Sequence, residues 1–309
     1  MWILIIGGAV ILFFIFLMYT DYKITLYSPI YKQNDPFNMP NVGQYKGKQD
    51  EIIKLINEAL ALPFESVSIK SFDGLTLKGK YYHTADNAPI DILFHGYRGV
   101  AIRDFCGGLP FSIRQNHNVL MIDERAQGES SGHVMSFGIN ERKDCKSWIE
   151  YCVERFGKDV QITLYGISMG AATVLMASGL DLPENVKCIV ADCPYAKPKE
   201  IIQKVCTDIK MPKRISYFIL YLGARVFGRV DLNSVTVTDE VKKAKVPILI
   251  IHGESDGFVP CYMSEEIKDN CASYCERHTF PNADHGLSYL EDPKRYEKLI
   301  IDFTGKYIK

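Results

Sequence analysis

The segment LYGISMGAAT sets one serine, Ser168, between two glycines, Gly166 and Gly170, with an apolar run before it and small residues after it. Upstream, DVQITLY reads as a strand, and MGAATVLMASG reads as a helix that closes on glycine. A Gly-x-Ser-x-Gly at a strand-to-helix junction is the pattern of a nucleophile elbow. There the serine takes a strained backbone conformation, and only very small residues fit two positions to either side. The plainer alternative is a serine that N-caps an ordinary helix, because serine is a favoured cap and glycine is common in turns. Choosing between them requires an acid, a base and hydrogen-bond donors for a developing oxyanion.

In open parallel sheets the reactive residues gather just beyond the carboxyl ends of the strands, so they are sought directly after apolar runs. ILFHGYRG places His95, Gly96 and Tyr97 there, VLMIDERAQGESSG places Asp123, LIIHGESDGFVP places Asp256, and HTFPNADHG places His285. Ser168, Asp256 and His285 supply a nucleophile, an acid and a base. A serine hydroxyl is a weak nucleophile until a base takes its proton, and imidazole accepts and returns a proton near neutrality. Asp256 would hold that imidazole in one tautomer and stabilise its charged form. Asp192 also follows a strand run and is the reserve acid. His95 and His252 each open a His-Gly pair at a strand end, and the other four histidines lack a partner signal. The backbone N–H groups of Met169, next to the serine, and of Tyr97 are the expected oxyanion donors.

To bring these ends together the chain must alternate strands and helices. After a hairpin turned at Asp73-Gly74, the runs IDILF, VLMID, QITLY, KCIVAD, VPILII and RHTF alternate with helical stretches. That predicts an α/β fold with a mostly parallel sheet and helices on both faces. Between KCIVAD and VPILII, residues 196–245 exceed what one crossover needs, and KEIIQKVCTDI and RISYFILYLGARVFG predict an inserted helical cap. The second of these is apolar nearly all round, so it must bury its whole girth; against the body it can bury only part, which leaves the remainder to line an acyl pocket, meet the bilayer beside the N-terminal anchor, or both. Two surface helices with no role at the site are the alternative. DEIIKLINEALAL predicts an amphipathic helix, preceded by a connector over residues 27–50.

Composition narrows the partners. With 36 Lys+Arg against 37 Asp+Glu in 309 residues, there is no charge excess for nucleic acid. The nine cysteines are scattered and form no Cys-x-x-Cys pair, which points to buried thiols in a reducing compartment rather than disulfides or a metal site. Trp2 to Met18 is uncharged and strongly apolar, at the short end of the ~17–25 residues that cross a bilayer as a helix. Residues 1–20 are therefore expected to be a single-pass transmembrane anchor, followed by residues 21–63 as connector and amphipathic helix. A cleaved signal peptide would want a basic start and a small-residue cleavage site. Lys23 and Lys32 after the span favour a catalytic domain on the cytoplasmic side.

Taken in order, HGYRG, DERAQGESSG, GISMG, HGESDGFVP and ADHG resemble the successive motifs of the α/β-hydrolase superfamily. The likeness is greatest to its membrane-anchored bacterial branch, related to serine aminopeptidase-like, acyl-hydrolase and lipase/esterase-like proteins. The resemblance covers residues 64–309 and implies an α/β-hydrolase domain without metal or organic cofactor, with Ser168, Asp256 and His285 in the family's chain order. A family pattern of Asp-x-Arg-Gly-x-Gly-x-Ser is met at Asp123, Arg125, Gly128 and Ser130, while Ala126 replaces a glycine. The expected activity is cleavage of an ester or thioester of a small-molecule or lipid-like acyl substrate through an acyl-enzyme on Ser168. A peptidase or acyltransferase on the same fold, or a non-catalytic scaffold, are the alternatives.

Overall fold

The computed structural model describes residues 2–28, 35–39 and 45–309, so much of the connector expected over 27–50 lies outside the described residues. The apolar runs become β3 (Ile90–Phe94), β4 (Asn118–Asp123), β5 (Ile162–Ile167), β6 (Val186–Asp192), β7 (Ile248–Gly253) and β8 (Cys275–Phe280), after the hairpin of β1 (Glu65–Lys70) and β2 (Thr76–Tyr82). The eight strands form one sheet in the order β1-β2-β4-β3-β5-β6-β7-β8. β1, β2 and β4 pair antiparallel, and every other neighbouring pair is parallel.

Successive strand side chains point to opposite faces, so a strand covered on both sides must be apolar throughout. Ile92, Leu164, Ile189 and Ile250 enter the core on one face, and Leu93, Tyr165, Val190 and Ile251 enter the core on the other. Each such burial contributes about 1.5–3 kcal/mol.

The helices follow in chain order. α1 (Trp2–Thr25) and α2 (Gln49–Leu60) precede the sheet, α3 (Ala101–Asp104) and α4 (Gly108–Arg114) join β3 to β4, and α5 (Glu141–Phe156) joins β4 to β5. α6 (Met169–Ala177) joins β5 to β6, and the insert between β6 and β7 holds α7 (Pro198–Asp208), α8 (Lys213–Gly223) and α9 (Val237–Glu240). α10 (Tyr262–Asn270) leads to β8, and α11 (Ser288–Glu291) and α12 (Pro293–Thr304) close the chain. Residues of α5, α6, α8 and α10 pack into one core with the first sheet face, and residues of α3, α4 and α12 pack into a second core on the other.

One boundary needs correction. The uncharged run does form a helix, and the stretch Ile5–Thr25 is long and apolar enough to cross a membrane. The helix does not stop at residue 20, however: it runs unbroken to Thr25, and Tyr22 and Leu26 belong to the hydrophobic core of the body. A Cβ on Gly223 would lie 2.3 Å from the Met18 carbonyl oxygen, which shows how closely α1 lies against the end of α8. α8 itself is two-sided. Tyr217 and Leu220 are buried, but Ile215 and Phe218 stay 61% and 53% exposed, so the helix buries one side against the body and leaves the other uncovered. After Gly223 it widens into a π-helical turn, Ala224–Gly228.

Candidate active site

β5 delivers Ser168 at its carboxyl end, where the chain must reverse into α6 within one residue. Ser168 has φ 55° and ψ −112°, a left-handed conformation that L-residues avoid. The glycines make this turn sterically feasible. A Cβ on Gly166 would lie 2.3 Å from the Gly170 carbonyl oxygen, and one on Gly170 would lie 1.9 Å from that of Phe94 at the end of β3. The serine does not act as a side-chain cap of α6.

His285 and Asp256 arrive from the loops after β8 and β7. His285 Nε2 lies 2.9 Å from Ser168 Oγ, and His285 Nδ1 lies 2.7 Å from Asp256 Oδ2. The aspartate is an acceptor, so Nδ1 carries the proton in the neutral ring and Nε2 is free to accept from the serine. Asp256 Oδ1 accepts from the backbone N–H groups of Phe258 and Val259 at 2.9 and 2.7 Å. Burial pushes the Asp256 carboxyl up, but hydrogen bonds from His252 and His285 and from the Val259 N–H outweigh it and hold the group well below the usual carboxylate range. All three side chains sit in residues that are at most 8% exposed.

Asp192, the reserve acid, lines the same pocket but is bonded to other partners. Its carboxylate accepts from Tyr296 Oη at 3.0 Å, with Ser288 Oγ at 3.4 Å, and burial raises it to about 6. It contributes through the backbone instead: its carbonyl oxygen accepts from the Ser168 N–H at 2.9 Å. His252 is a site residue that the sequence reasoning passed over. It is fully buried, and its Nε2 lies 2.9 Å from the Val259 carbonyl oxygen and 3.2 Å from Asp256 Oδ2. The signal available was its place four residues before Asp256 at the end of an apolar run. His95 is bound on both ring nitrogens, Nε2 accepting from the Glu124 N–H and Nδ1 donating to the Gly96 carbonyl, so it shapes the loop.

That loop lies beside the serine, since a Cβ on Gly96 would be 3.6 Å from Ser168 Cβ. Its next residues hold the end of α1. Tyr97 Oη donates to the Thr25 carbonyl at 2.6 Å, and the Arg98 guanidinium donates to those of Ile24 and Tyr27 at 2.7 and 3.2 Å. Those of Ile24 and Thr25 are among the carbonyls that a helix end leaves without intrahelical partners. In the turn after β4, Ala126, which stands where the family pattern has glycine, adopts φ 62°. Arg125 beneath it is bidentate to Asp144, at 2.6 and 2.7 Å, and also bonds Asp73.

Ser168 opens into a pocket of about 250 Å³ lined by Leu93, Phe111, Tyr289, Leu290 and Ile300, with Ile52 of α2. No lining residue comes from the insert 196–245, which overturns the acyl pocket as the place for the uncovered side of α8. The cap reaches the site through Lys204, which donates to the Gly257 carbonyl beside Asp256. Among the described residues, one group of three has donor atoms near enough to share a metal ion, Cys193 with Asp256 and His285. Two of these are already bonded to each other, and burial holds the Cys193 thiol protonated.

A model of the prolyl oligopeptidase family matches residues 133–309, more than half of the chain and inclusive of Ser168, Asp256 and His285. YqkD of Bacillus subtilis (strain 168) is 24% identical over 240 residues, 76% of this chain and 77% of that protein. Protein bem46 of Schizosaccharomyces pombe is 22% identical over 96% of this chain and 90% of its own length. Thiohydrolase apmlB of Arthrinium phaeospermum is 32% identical, over 43% of this chain and 44% of that protein. Among solved structures, the esterase Pf2001 of Pyrococcus furiosus superposes with a TM-score of 0.66 at 20% identity, covering 92% of this chain and 97% of that one.

Proposed function

Because the chain belongs to the prolyl oligopeptidase family, a family of serine hydrolases, and has the α/β-hydrolase fold, we propose that it cleaves a carboxylic ester or thioester through an acyl-enzyme on Ser168. The observation that carries this reading is the continuous hydrogen-bonded chain Ser168–His285–Asp256 at the mouth of an apolar pocket. Ser168 Oγ attacks the acyl carbonyl carbon as its proton passes to His285 Nε2, and Asp256 stabilises the imidazolium. The carbonyl oxygen takes up the negative charge, facing the N–H groups of Met169 and Tyr97. The tetrahedral adduct collapses with loss of the alkoxide or thiolate, which takes the proton from His285. Water then attacks the acyl-serine, His285 accepts its proton and returns it to Ser168, and the acid leaves. The substrate is a small or lipid-like molecule with an apolar acyl group, as the lining of the pocket suggests.

A fluorophosphonate probe together with a p-nitrophenyl ester assay tests the reading. Ser168→Ala and His285→Ala should each lose at least about a thousandfold in kcat/KM, and the double variant should be little worse than either single one, because the residues act as a unit. A Ser168→Ala protein that keeps wild-type turnover and still labels overturns it. The family match favours one second reading, a serine peptidase. Faster cleavage of an aminoacyl p-nitroanilide than of any p-nitrophenyl ester would select it.

α1 is read as a single-pass anchor rather than a cleaved leader. Support comes from its last turns, which are built into the body at Tyr22 and Leu26 and held by Tyr97 and Arg98. The catalytic domain is placed on the cytoplasmic side, in keeping with Lys23 and Lys32 after the span and with nine free thiols.

A further inference from the structure

The outer face of the cap differs in kind from an ordinary soluble surface. From Ile209 to Ile215 the chain reads IKMPKRI, and all seven residues are exposed. Ile209, Met211 and Ile215 are 60%, 43% and 61% exposed, with Lys210, Lys213 and Arg214 interleaved among them. Phe218 continues the apolar row along α8, and Val226 extends it into the π-helical turn at 60% exposure. Soluble surfaces scatter large apolar residues singly. Bulky apolar side chains set among cations are the composition of segments that lie in a lipid headgroup layer.

Position supplies the second observation. α8 packs against α1, and Phe227, just past it, lies edge-on to Tyr19 with ring centroids 5.3 Å apart and 5.9 Å from Tyr22. Tyr19 and Tyr22 stand where the uncharged run of α1 ends, with Asp21 and Lys23 as its first charges. Aromatic rings and a first cation at the end of an apolar span mark the level of the headgroups. The end of the cap helix is held at that level.

We infer that the exposed cap face, Ile209, Met211, Ile215, Phe218 and Val226 with Lys210, Lys213 and Arg214, lies in the headgroup layer of a bilayer bearing anionic phospholipid. It gives the protein a second membrane contact beside α1. This inference rests on the reading of α1 as an anchor, and the experiment separates the two. Full-length protein is reconstituted in vesicles whose anionic phospholipid is brominated on its acyl chains, which quenches nearby tryptophan. The chain has two tryptophans, Trp2 at the start of α1 and Trp148 in the core, so Trp2→Phe leaves only a shielded one. Phe218→Trp in that background reports the cap, and Tyr274→Trp, at a position 57% exposed at the amino end of β8, reports a surface away from it. The Phe218→Trp emission should fall by about half and the Tyr274→Trp emission by less than about a tenth. Adding Lys213→Glu and Arg214→Glu, or replacing the anionic lipid by a zwitterionic one, should remove at least about half of that quenching. Quenched Trp2 in the wild type with equal, weak quenching of Phe218→Trp and Tyr274→Trp overturns the cap contact and leaves the anchor. Unquenched Trp2 overturns the anchor, and the cap contact then stands or falls on Phe218→Trp alone.

Discussion

Two buried aspartates at one site are pushed in opposite directions, and each carries a different pH signature. Asp256 accepts four hydrogen bonds and is held low, so its share of stability is present above the unfolded value of 3.8 and is lost as pH falls below it. Asp192 is raised from 3.8 to about 6 by burial. Between those values the folded protein binds a proton that the unfolded chain has released, so stability falls as pH rises through that window. Asp192→Asn removes this slope, and denaturant unfolding should show the variant gaining up to about 3 kcal/mol over the wild type between pH 4 and 6.5. Parallel stability curves for the two proteins would refute the account. Sequence could nominate both aspartates because both follow apolar runs, but could not rank them by contact. That choice depends on where the β8 loop sets His285, a tertiary fact. His252 was missed for the same reason: its ring meets Asp256 only because the 253–259 loop folds back over the strand end.

At the scale of elements, strands were the legible part and helix surroundings were not. Six apolar runs bounded by turn residues became β3 to β8 because a doubly covered strand advertises itself at every position. For α8 the covering of its second side stayed open, because an apolar helix reads alike whether it packs against protein on all sides or shows one side to the surroundings. α1 misled at its boundary. The first charge, Asp21, suggested where the body begins, yet the last buried contacts of the helix include Met18 and Tyr22. A chain shortened to begin at Met18 should therefore keep wild-type stability and short-ester turnover. One beginning at Ser28 loses Tyr22 and Leu26 from the core and the carbonyls that Tyr97 and Arg98 bind. It should be destabilised by several kcal/mol, at about 2–5 for each large core side chain removed, with kcat reduced as well. Thermal unfolding and p-nitrophenyl acetate kinetics decide it; equal midpoints and kcat for the two shortened chains would mean that α1 is a tether and nothing more.

For the molecule as a whole, the sheet divides the labour. Core packing on one face joins α1 and the cap to the body, while the pocket opens mainly from the other, between α2, α4, α11 and α12. No sequence pattern announces that pocket, because Ile52, Phe111 and Leu290 are far apart in the chain and each looks like ordinary core. If the pocket takes the acyl chain, kcat/KM should rise roughly tenfold for every two methylenes until it is full, at about 0.8 kcal/mol each. Leu290→Trp, which narrows the cavity, should cut the preference for medium-chain over acetyl esters at least about tenfold. An unchanged chain-length profile in Leu290→Trp would move the acyl site elsewhere. The grip on α1 has a consequence of another kind. Tyr97 and Arg98 hold oxygen atoms of the main chain, at Ile24, Thr25 and Tyr27, which every amino acid presents alike. Identity at Ile24 and Thr25 is therefore free to drift, while phase is not: one residue inserted between Tyr22 and Ile24 would turn the helix by about 100° and swing Tyr22 out of its socket. Positions 24 and 25 should thus tolerate substitution readily, while the segment around them tolerates insertion or deletion poorly.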